Sequence, residues 1–242
     1  MKKTKAFVAL GGNQGDVPQT FLRAVGALER TPDLRVVQVS DCYRTEGIGP
    51  RCASNREESR FCNAALALET TLSANALLQR LQEIEVECGR VRTVAWGPRT
   101  LDLDLLLFGE EVSNGDPALQ VPHPRLWYRR FVLDPLVEIA PHQRHPQWEL
   151  TVSELQQRLL PQPLAVRCLG FDRENLCRLE TEFGNQIALS SESTAAITLV
   201  TKQPSTNELG TIDLSSAADP MEDARWILRA ALDVPKRIHS TI

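Results

Sequence analysis

The 242-residue sequence predicts an α+β fold over its first two-thirds and a second, small α/β unit over its last third. Short apolar or alternating runs, typical of strands, are interspersed with segments whose apolar residues recur at helical spacing. A proline-rich break, Pro161-Gln162-Pro163, separates two stretches that each contain both kinds of segment. The composition is ordinary for a soluble globular protein, because 42% of the residues are hydrophobic and 24% are charged.

The first strand and helix are predicted from the N-terminal residues. Residues 5–10 form a buried strand that ends at the glycine-rich turn of residues 11–16. Pro18 suits the first turn of a helix, where its missing N–H is not needed. Apolar residues then recur at helical spacing: Phe21, Val25 and Leu28. We interpret the turn as mainly structural, because it lacks the lysine and the spacing of a P-loop.

Two strands, a second helix and another strand follow. Residues 34–40 and 42–44 look like a second strand, and residues 61–69 like a third. Ser73 is predicted to cap a helix that reaches Cys88 and is stopped by Gly89. A strand containing Asp102 and Asp104 completes the order strand, helix, two strands, helix, strand. This order predicts a ferredoxin-like antiparallel sheet with helices packed on it.

Beyond this pattern the sequence predicts an accessory unit. Residues 121–125 are too rich in proline for a regular element, residues 129–140 form an apolar segment, and residues 152–160 form a short helix. We therefore predict a first domain over residues 1–160, a linker over 161–163 and a small α/β domain over 164–242. Its last helix has one apolar side that fits a core or a dimer face, so we favour a structural or interaction module over a second enzyme.

Charge and cysteine content limit the class of protein. The net charge of −4 and the pI near 5.7 argue against duplex nucleic acid as a ligand. No apolar run approaches the roughly 20 residues of a membrane span, and the N-terminal apolar run is too short for a signal peptide. The six cysteines include no C-x-x-C pair. We expect reduced thiols in a cytoplasmic protein that binds neither nucleic acid nor membrane.

The strand that begins near Leu101 carries the most informative motif. Strand side chains alternate between faces, so Asp102 and Asp104 project from one side about 6–7 Å apart, while the leucines face the core. A lone Asp-x-Asp is more often a solvated edge, but the apolar run to Phe108 favours a buried strand. Two carboxylates in such a strand need a cation, and Mg²⁺ prefers carboxylate oxygens.

Basic and aromatic residues elsewhere fit a nucleotide and a flat heterocycle. Arg90, Arg92 and Arg99 precede the paired carboxylates and suit a triphosphate, although a solvated basic loop is the alternative. His123 lies between two prolines and is either a phosphate donor or a structural histidine. Two rings and an amide could stack on a heterocycle and bind its edge, although each is individually more common as a core or turn residue: Phe61, Phe131 and Asn63.

Six motifs follow one another along the first two-thirds of the chain: Gly11-Gly12-Asn13, Tyr43-Arg44-Thr45, Phe61-Cys62-Asn63-Ala64-Ala65, Glu85 followed by Gly89-Arg90-Val91-Arg92, Trp96-Gly97-Pro98-Arg99-Thr100-Leu101-Asp102-Leu103-Asp104, and Val121-Pro122-His123-Pro124-Arg125. In their order and approximate spacing, over residues 5–160, the sequence resembles the 6-hydroxymethyl-7,8-dihydropterin pyrophosphokinase family of folate biosynthesis. The block from Trp96 to Asp104 is the most specific of these.

The resemblance implies transfer of the pyrophosphoryl group of MgATP to 6-hydroxymethyl-7,8-dihydropterin, with release of AMP. It implies two Mg²⁺ ions on Asp102 and Asp104, with Asp104 also the nearest candidate for a general base. It implies phosphate contacts from five residues, of which the first two lie on a mobile, catalytically required loop: Arg90, Arg92, Arg99, His123 and Arg129. It further implies that Gln82 and Glu85 line the nucleotide pocket.

At the pterin end, the resemblance implies that Phe61 and Phe131 sandwich the ring and that Trp96 forms a wall. The edge of the pterin ring would be bound by Asn63 and by the backbone around Thr45, Glu46 and Ile48.

Three departures from the family pattern are visible. The loop of residues 51–60 is several residues longer, the loop of residues 90–96 is about one shorter, and residues 115–120 match poorly. Nothing in the resemblance accounts for residues 164–242, through which we expect a homodimer or a contact with another pathway enzyme. The alternative function is a pterin- or nucleotide-binding module that has lost catalysis and acts through this C-terminal unit.

Overall fold

The computed structural model describes residues 3–48, 60–90, 99–113, 118–202 and 209–238. Its α-helices and strands, in chain order, are β1 (Thr4–Gly12), α1 (Val17–Glu29), β2 (Leu34–Val39), β3 (Cys42–Glu46), β4 (Arg60–Thr70), α2 (Ala74–Glu87), β5 (Asp102–Phe108), α3 (Arg130–Ile139), α4 (Val152–Gln157), β6 (Leu164–Leu169), α5 (Arg173–Phe183), β7 (Ile187–Leu189), β8 (Ile197–Val200), β9 (Thr211–Asp213), α6 (Pro220–Leu232) and β10 (Lys236–Ile238). Short 3-10 turns occupy Leu126–Tyr128 and Gly184–Gln186.

An antiparallel sheet carries the first two-thirds of the chain. Its strand order is β10-β3-β4-β1-β5, and β2 pairs with the other end of β4. The predicted second strand is thus two strands, β2 and β3. They are separated at Ser40, whose hydroxyl accepts a hydrogen bond from the Ala65 N–H at 2.9 Å. The α+β fold with an antiparallel sheet, predicted from the element order, is confirmed.

The two faces of this sheet have separate cores, as the period of two requires. Ala6, Val8 and Leu10 face a core shared with α1 and α2. Phe7 faces the opposite core, which is shared with α3 and α4. N-caps set the starts of the first pair of helices, since Asp16 and Ser73 each accept a backbone N–H three residues on. The cap at Ser73 was predicted from the sequence, and the cap at Asp16 was not.

A four-stranded parallel sheet forms the last third, in the order β7-β6-β8-β9. The structure therefore contains the second, small α/β unit that the sequence predicts, with α5 and α6 as its helices. Within the described residues, no helix is both long enough and apolar enough to span a membrane.

The two units share one core and one sheet. Buried Leu133 and Leu155 of the first unit belong to the same apolar cluster as Leu164 and Leu228 of the second. In addition, β10 pairs with β3, and Arg237 contacts Asp41 at 2.7 Å. A strand of three residues is too short to show periodicity, so β10 was not predicted. The domain boundary at residues 161–163 stays a prediction.

Candidate functional site

Strand β5 presents its two aspartates to a cleft. Asp102 and Asp104 are half-buried and line it, whereas Leu103 and Leu105 are only 3% and 4% exposed. This is the alternation expected from the sequence. Strand β5 lies at one end of the strand order and pairs with β1, and the face that carries its two aspartates borders the cleft.

A carboxylate and two guanidinium groups surround the start of β5. Arg90 contacts Asp102 at 2.7 Å, and Arg99 forms a second ion pair with the same carboxylate. Glu85, only 3% exposed, pairs with Arg90 and accepts the Leu103 N–H at 2.7 Å. Burial raises the pKa of Glu85. Glu85 therefore joins α2 to β5 between the two aspartates.

The glycine-rich turn after β1 holds the segment that carries Arg99. The Asn13 side chain accepts the Arg99 N–H at 2.8 Å, and the Asn13 N–H donates to the Arg99 carbonyl at 2.9 Å. A Cβ at Gly12 would lie 2.8 Å from the Thr100 carbonyl oxygen, so only glycine permits this approach. The turn has the structural role expected from the sequence, and it also positions a residue of the cleft.

His123 is fixed by two backbone contacts and lines the cleft. Its N–H donates to the Leu106 carbonyl at 2.8 Å, and its Nδ1 accepts the Arg125 N–H at 3.1 Å. Burial, with Arg129 and Arg125 nearby, lowers the pKa of His123 to about 3. A neutral imidazole that accepts at Nδ1 carries its hydrogen on Nε2, which makes it a donor for an anionic ligand.

The neighbouring arginines before Phe131 have different environments. Arg130 is buried and forms a bidentate pair with Asp134, at 3.0 and 2.8 Å. Arg129 lines the cleft, and its guanidinium lies 5.5 Å from the Phe131 ring centroid. Burial lowers the pKa of Arg129. Arg129 is therefore the member of the pair placed to meet a ligand.

The other end of the cleft has an aromatic and amide lining. Asn63 and Thr45 are 7% and 6% exposed, and the Asn63 amide nitrogen donates to the Thr45 hydroxyl at 2.9 Å. Phe61 shares a strand face with Asn63, and Phe131 lies at the start of α3. Within the described part of the chain no group donates to the Asn63 side-chain oxygen, which can therefore accept a hydrogen bond from a ligand.

Gly11 connects the two ends of the cleft. In the sheet register it pairs with Asn63 on one side and with Asp102 on the other. Two strand spacings place the backbones of Asn63 and Asp102 about 10 Å apart. A Cβ at Gly11 would lie 3.5 Å from the Asn63 side-chain oxygen, so the missing side chain leaves room for a ligand. The sequence motif gave no indication of this second role.

The cleft has a volume of about 870 Å³ and collects most of the predicted residues: Thr45, Glu46, Ile48, Phe61, Asn63, Arg99, Asp102, Asp104, His123, Arg129 and Phe131. Glu85 and Arg90 do not line the cleft. They contact residues of β5 instead: Glu85 accepts the Leu103 N–H, and Arg90 pairs with Asp102. Gln82 is exposed on α2 and does not line the cleft. Arg92 and Trp96 lie outside the described residues.

Several residues of the cleft were not predicted. Trp127 and Trp148 pack edge to face, with centroids 6.1 Å apart, and His145 stacks on Trp148 at 4.0 Å. Residues of β9 and α6 also line the cleft. No local sequence pattern brings these rings together, because they lie 21 residues apart at Trp127 and Trp148 and meet only in the folded chain.

The two carboxylates of Asp102 and Asp104 suit a cation that is also coordinated by the phosphates of a substrate. In the part of the chain that is described, no group of three or more His, Cys, Asp or Glu side chains could hold a metal ion by itself. Mg²⁺ usually binds one or two carboxylates and completes its octahedron with water and substrate phosphates. Asp102 and Asp104 fit that donor set.

An α+β fold whose cleft combines paired carboxylates and arginines with stacking rings and an amide defines a nucleotide-dependent transferase acting on a flat heterocycle. Residues 7–141 match the family model described as 7,8-dihydro-6-hydroxymethylpterin-pyrophosphokinase (HPPK). The chain belongs to this family, which confirms the prediction from the sequence motifs.

Curated relatives carry the name 2-amino-4-hydroxy-6-hydroxymethyldihydropteridine pyrophosphokinase. One from Pseudomonas aeruginosa is 45% identical over 142 residues, which are 59% of this chain and 84% of that protein. One from Bacillus subtilis is 41% identical over 153 residues, or 63% of this chain and 86% of that protein.

A crystal structure of Plasmodium falciparum HPPK-DHPS is also similar, with a TM-score of 0.49 and 12% identity. The match covers 83% of this chain and 56% of that one.

Proposed function

We propose that the chain transfers the β,γ-pyrophosphoryl group of ATP to the hydroxymethyl oxygen of 6-hydroxymethyl-7,8-dihydropterin. The new bond joins that oxygen to the β-phosphorus, the bond between the β-phosphorus and the α,β-bridging oxygen breaks, and AMP leaves. The carrying observation is the single cleft in which paired carboxylates and basic residues lie across Gly11 from Asn63 and Thr45. Family membership supports the same reaction, which belongs to folate biosynthesis.

In this proposal the carboxylate end binds the triphosphate. Asp102 and Asp104 would hold the magnesium ions, two in number, which supply charge neutralisation and alignment for in-line attack. Arg129 and the Nε2–H of His123 would donate to phosphate oxygens. Asp104 is the nearest candidate to accept the proton of the attacking hydroxyl.

Arg90 and Arg99 neutralise Asp102 in the structure. If a cation bound that carboxylate, Arg99 would be released to donate to phosphates, whereas Arg90 would keep Glu85 as a partner and could turn its remaining N–H groups to a phosphate. The ion pairs thus hold the arginines beside the position of the triphosphate, which reduces the cost of orienting them. Arg92 and Trp96 would complete the proposed nucleotide contacts.

At the other end, Phe61 and Phe131 would stack on the pterin, and Asn63 would bind its edge with help from the backbone near Thr45 and Ile48. The distance of about 10 Å between the Asn63 and Asp102 backbones fits a bicyclic ring that extends a hydroxymethyl group towards the cation. Cytoplasmic location and an association through the C-terminal unit remain predictions. A binding module without catalysis is not favoured, because both carboxylates and their arginines are in place.

The test is AMP formation from MgATP and the dihydropterin. Asp104→Ala should lower turnover by at least about 100-fold, because positioned charge dominates phosphoryl-transfer catalysis. The matched control is Glu110→Ala, an exposed carboxylate just beyond the same strand, which should keep wild-type turnover. Wild-type AMP formation by a folded Asp104→Ala variant would overturn the proposal.

A further inference from the structure

The C-terminal unit lines the same cleft as the proposed substrate residues. Strand β9 contributes Ile212 and Asp213, and helix α6 contributes Asp223 and Trp226. The family match ends at residue 141, so these side chains lie outside the part of the chain that defines the family. The cleft wall is therefore built from both units.

Helix α6 borders the cleft along one continuous face. The residues that line it recur at i, i+3, i+4 and i+7, which is one helix side over two turns: Asp223, Trp226, Ile227 and Ala230. Three others on this helix are completely buried in the shared core: Ala224, Leu228 and Ala231. Asp223 and Trp226 are only partly buried, so they are the members of the cleft face that a ligand can reach.

This wall is held in a fixed position. Asp219 caps the helix by accepting the N–H groups of Met221 and Glu222, both at 3.0 Å. Arg229 donates to Glu182 of α5 at 2.8 Å. The helix also packs against α3, whose first turn carries Phe131, and against the 3-10 turn Leu126–Tyr128. A displacement of residues in the pterin subsite would therefore be transmitted to α6 through direct packing.

The charges of the side chains on this wall indicate which substrate it faces. Asp213 and Asp223 are carboxylates, which repel a triphosphate, whereas the phosphate end carries Arg99 and Arg129. A dihydropterin is uncharged and presents ring N–H and amino hydrogens, which carboxylates accept. An indole ring such as that of Trp226 offers a flat surface for a heterocycle. The wall therefore suits the pterin rather than ATP.

We infer that α6 forms the outer wall of the pterin subsite and that Trp226 is a pterin-binding residue supplied by the C-terminal unit. This inference rests on the proposed function for the identity of the ligand. It assigns residues 209–232 a part in substrate binding, in addition to the structural role expected from the sequence.

The experiment measures kcat, the KM of each substrate, and pterin binding by calorimetry on the full chain. Trp226→Ala should raise the KM for the dihydropterin about tenfold, the size expected for a lost aromatic contact, with the KM for ATP changed less than about twofold. Trp226→Phe should restore most of the affinity. Glu180→Ala, at an exposed position on α5 of the same unit, is the control and should leave both KM values unchanged.

A pterin KM within twofold of wild type in folded Trp226→Ala would overturn the inference, as would an equal rise in both KM values. If Trp226→Ala does not fold, Asp223→Asn tests the same face and should raise the pterin KM alone; no change there would also overturn the inference. Failure of the proposed function has a different signature, namely no AMP formation by the wild-type chain. In that case calorimetric pterin binding still separates Trp226→Ala from wild type without turnover.

Discussion

Replacing Glu85 by alanine should destabilise the protein far more than replacing it by glutamine. The Glu85 carboxylate is 3% exposed and accepts the Leu103 N–H at 2.7 Å, between the two aspartates of β5. It also pairs with Arg90. Alanine removes the carboxylate and with it both contacts, so the buried Leu103 N–H is left without this acceptor. Glutamine keeps a carbonyl oxygen at the same position.

The magnitude follows from these contacts. Losing a hydrogen bond to a charged group costs about 1.5–3 kcal/mol, and the buried N–H left without an acceptor places Glu85→Ala near 3 kcal/mol. Arg90 keeps its ion pair with Asp102, at 2.7 Å, so we add no further cost for an unpaired guanidinium group. Glutamine should cost less than about 1 kcal/mol, because its carbonyl oxygen can still accept the Leu103 N–H and Arg90 keeps Asp102.

The assays are urea unfolding and thermal unfolding, both followed by circular dichroism, with the slope against urea concentration compared between variants. For a chain of this size each kcal/mol shifts Tm by about 2–4 °C, so Glu85→Ala should lower Tm by about 6–12 °C. Glu83→Ala, an exposed position on the same helix, is the control and should change stability by less than about 0.5 kcal/mol. If Ala and Gln at position 85 differ by less than about 0.5 kcal/mol, the argument that Glu85 supports β5 through Leu103 is wrong.

Two further substitutions test the C-terminal unit. Burial raises the pKa of Asp233 to about 6, so this carboxyl favours folding below its ordinary pKa near 4 and loses that contribution as pH rises through 6. Asp233→Asn should therefore raise the free energy of unfolding by about 1–2 kcal/mol at pH 7.5, after allowance for screening, and by almost nothing at pH 4; equal effects at both pH values would contradict this. Leu228 is fully buried in the core shared by both units. Leu228→Ala should cost about 2–5 kcal/mol and keep one unfolding transition by fluorescence and circular dichroism; two separate transitions would show that the units fold independently.

The sequence was sufficient for features that depend on neighbours along the chain. The alternation of Asp102 and Asp104 with buried leucines and the cap at Ser73 both follow from local spacing. Local spacing also placed Phe61 and Asn63 on one strand face.

Features made by distant segments could not be predicted. The link from Glu85 to Leu103 joins a helix to a strand, and the role of Gly11 depends on register with two other strands. Trp226 faces the cleft because α6 packs on α3, and no local pattern distinguishes that face from a dimer face. The pairing of Arg130, rather than Arg129, with Asp134 likewise depends on where α3 begins.

The pairing of β10 with β3 has a consequence for synthesis of the chain. Arg237 and its partner Asp41 are 196 residues apart, so β3 acquires this neighbour only after nearly the whole described chain has been made. At about 5–20 residues per second, the roughly 80 residues after position 160 take several seconds to emerge. During that interval β3, next to the proposed pterin residues, exposes unpaired backbone N–H and C=O groups to other chains. The nascent protein therefore passes through an aggregation-sensitive stage that ends when the C-terminal unit docks.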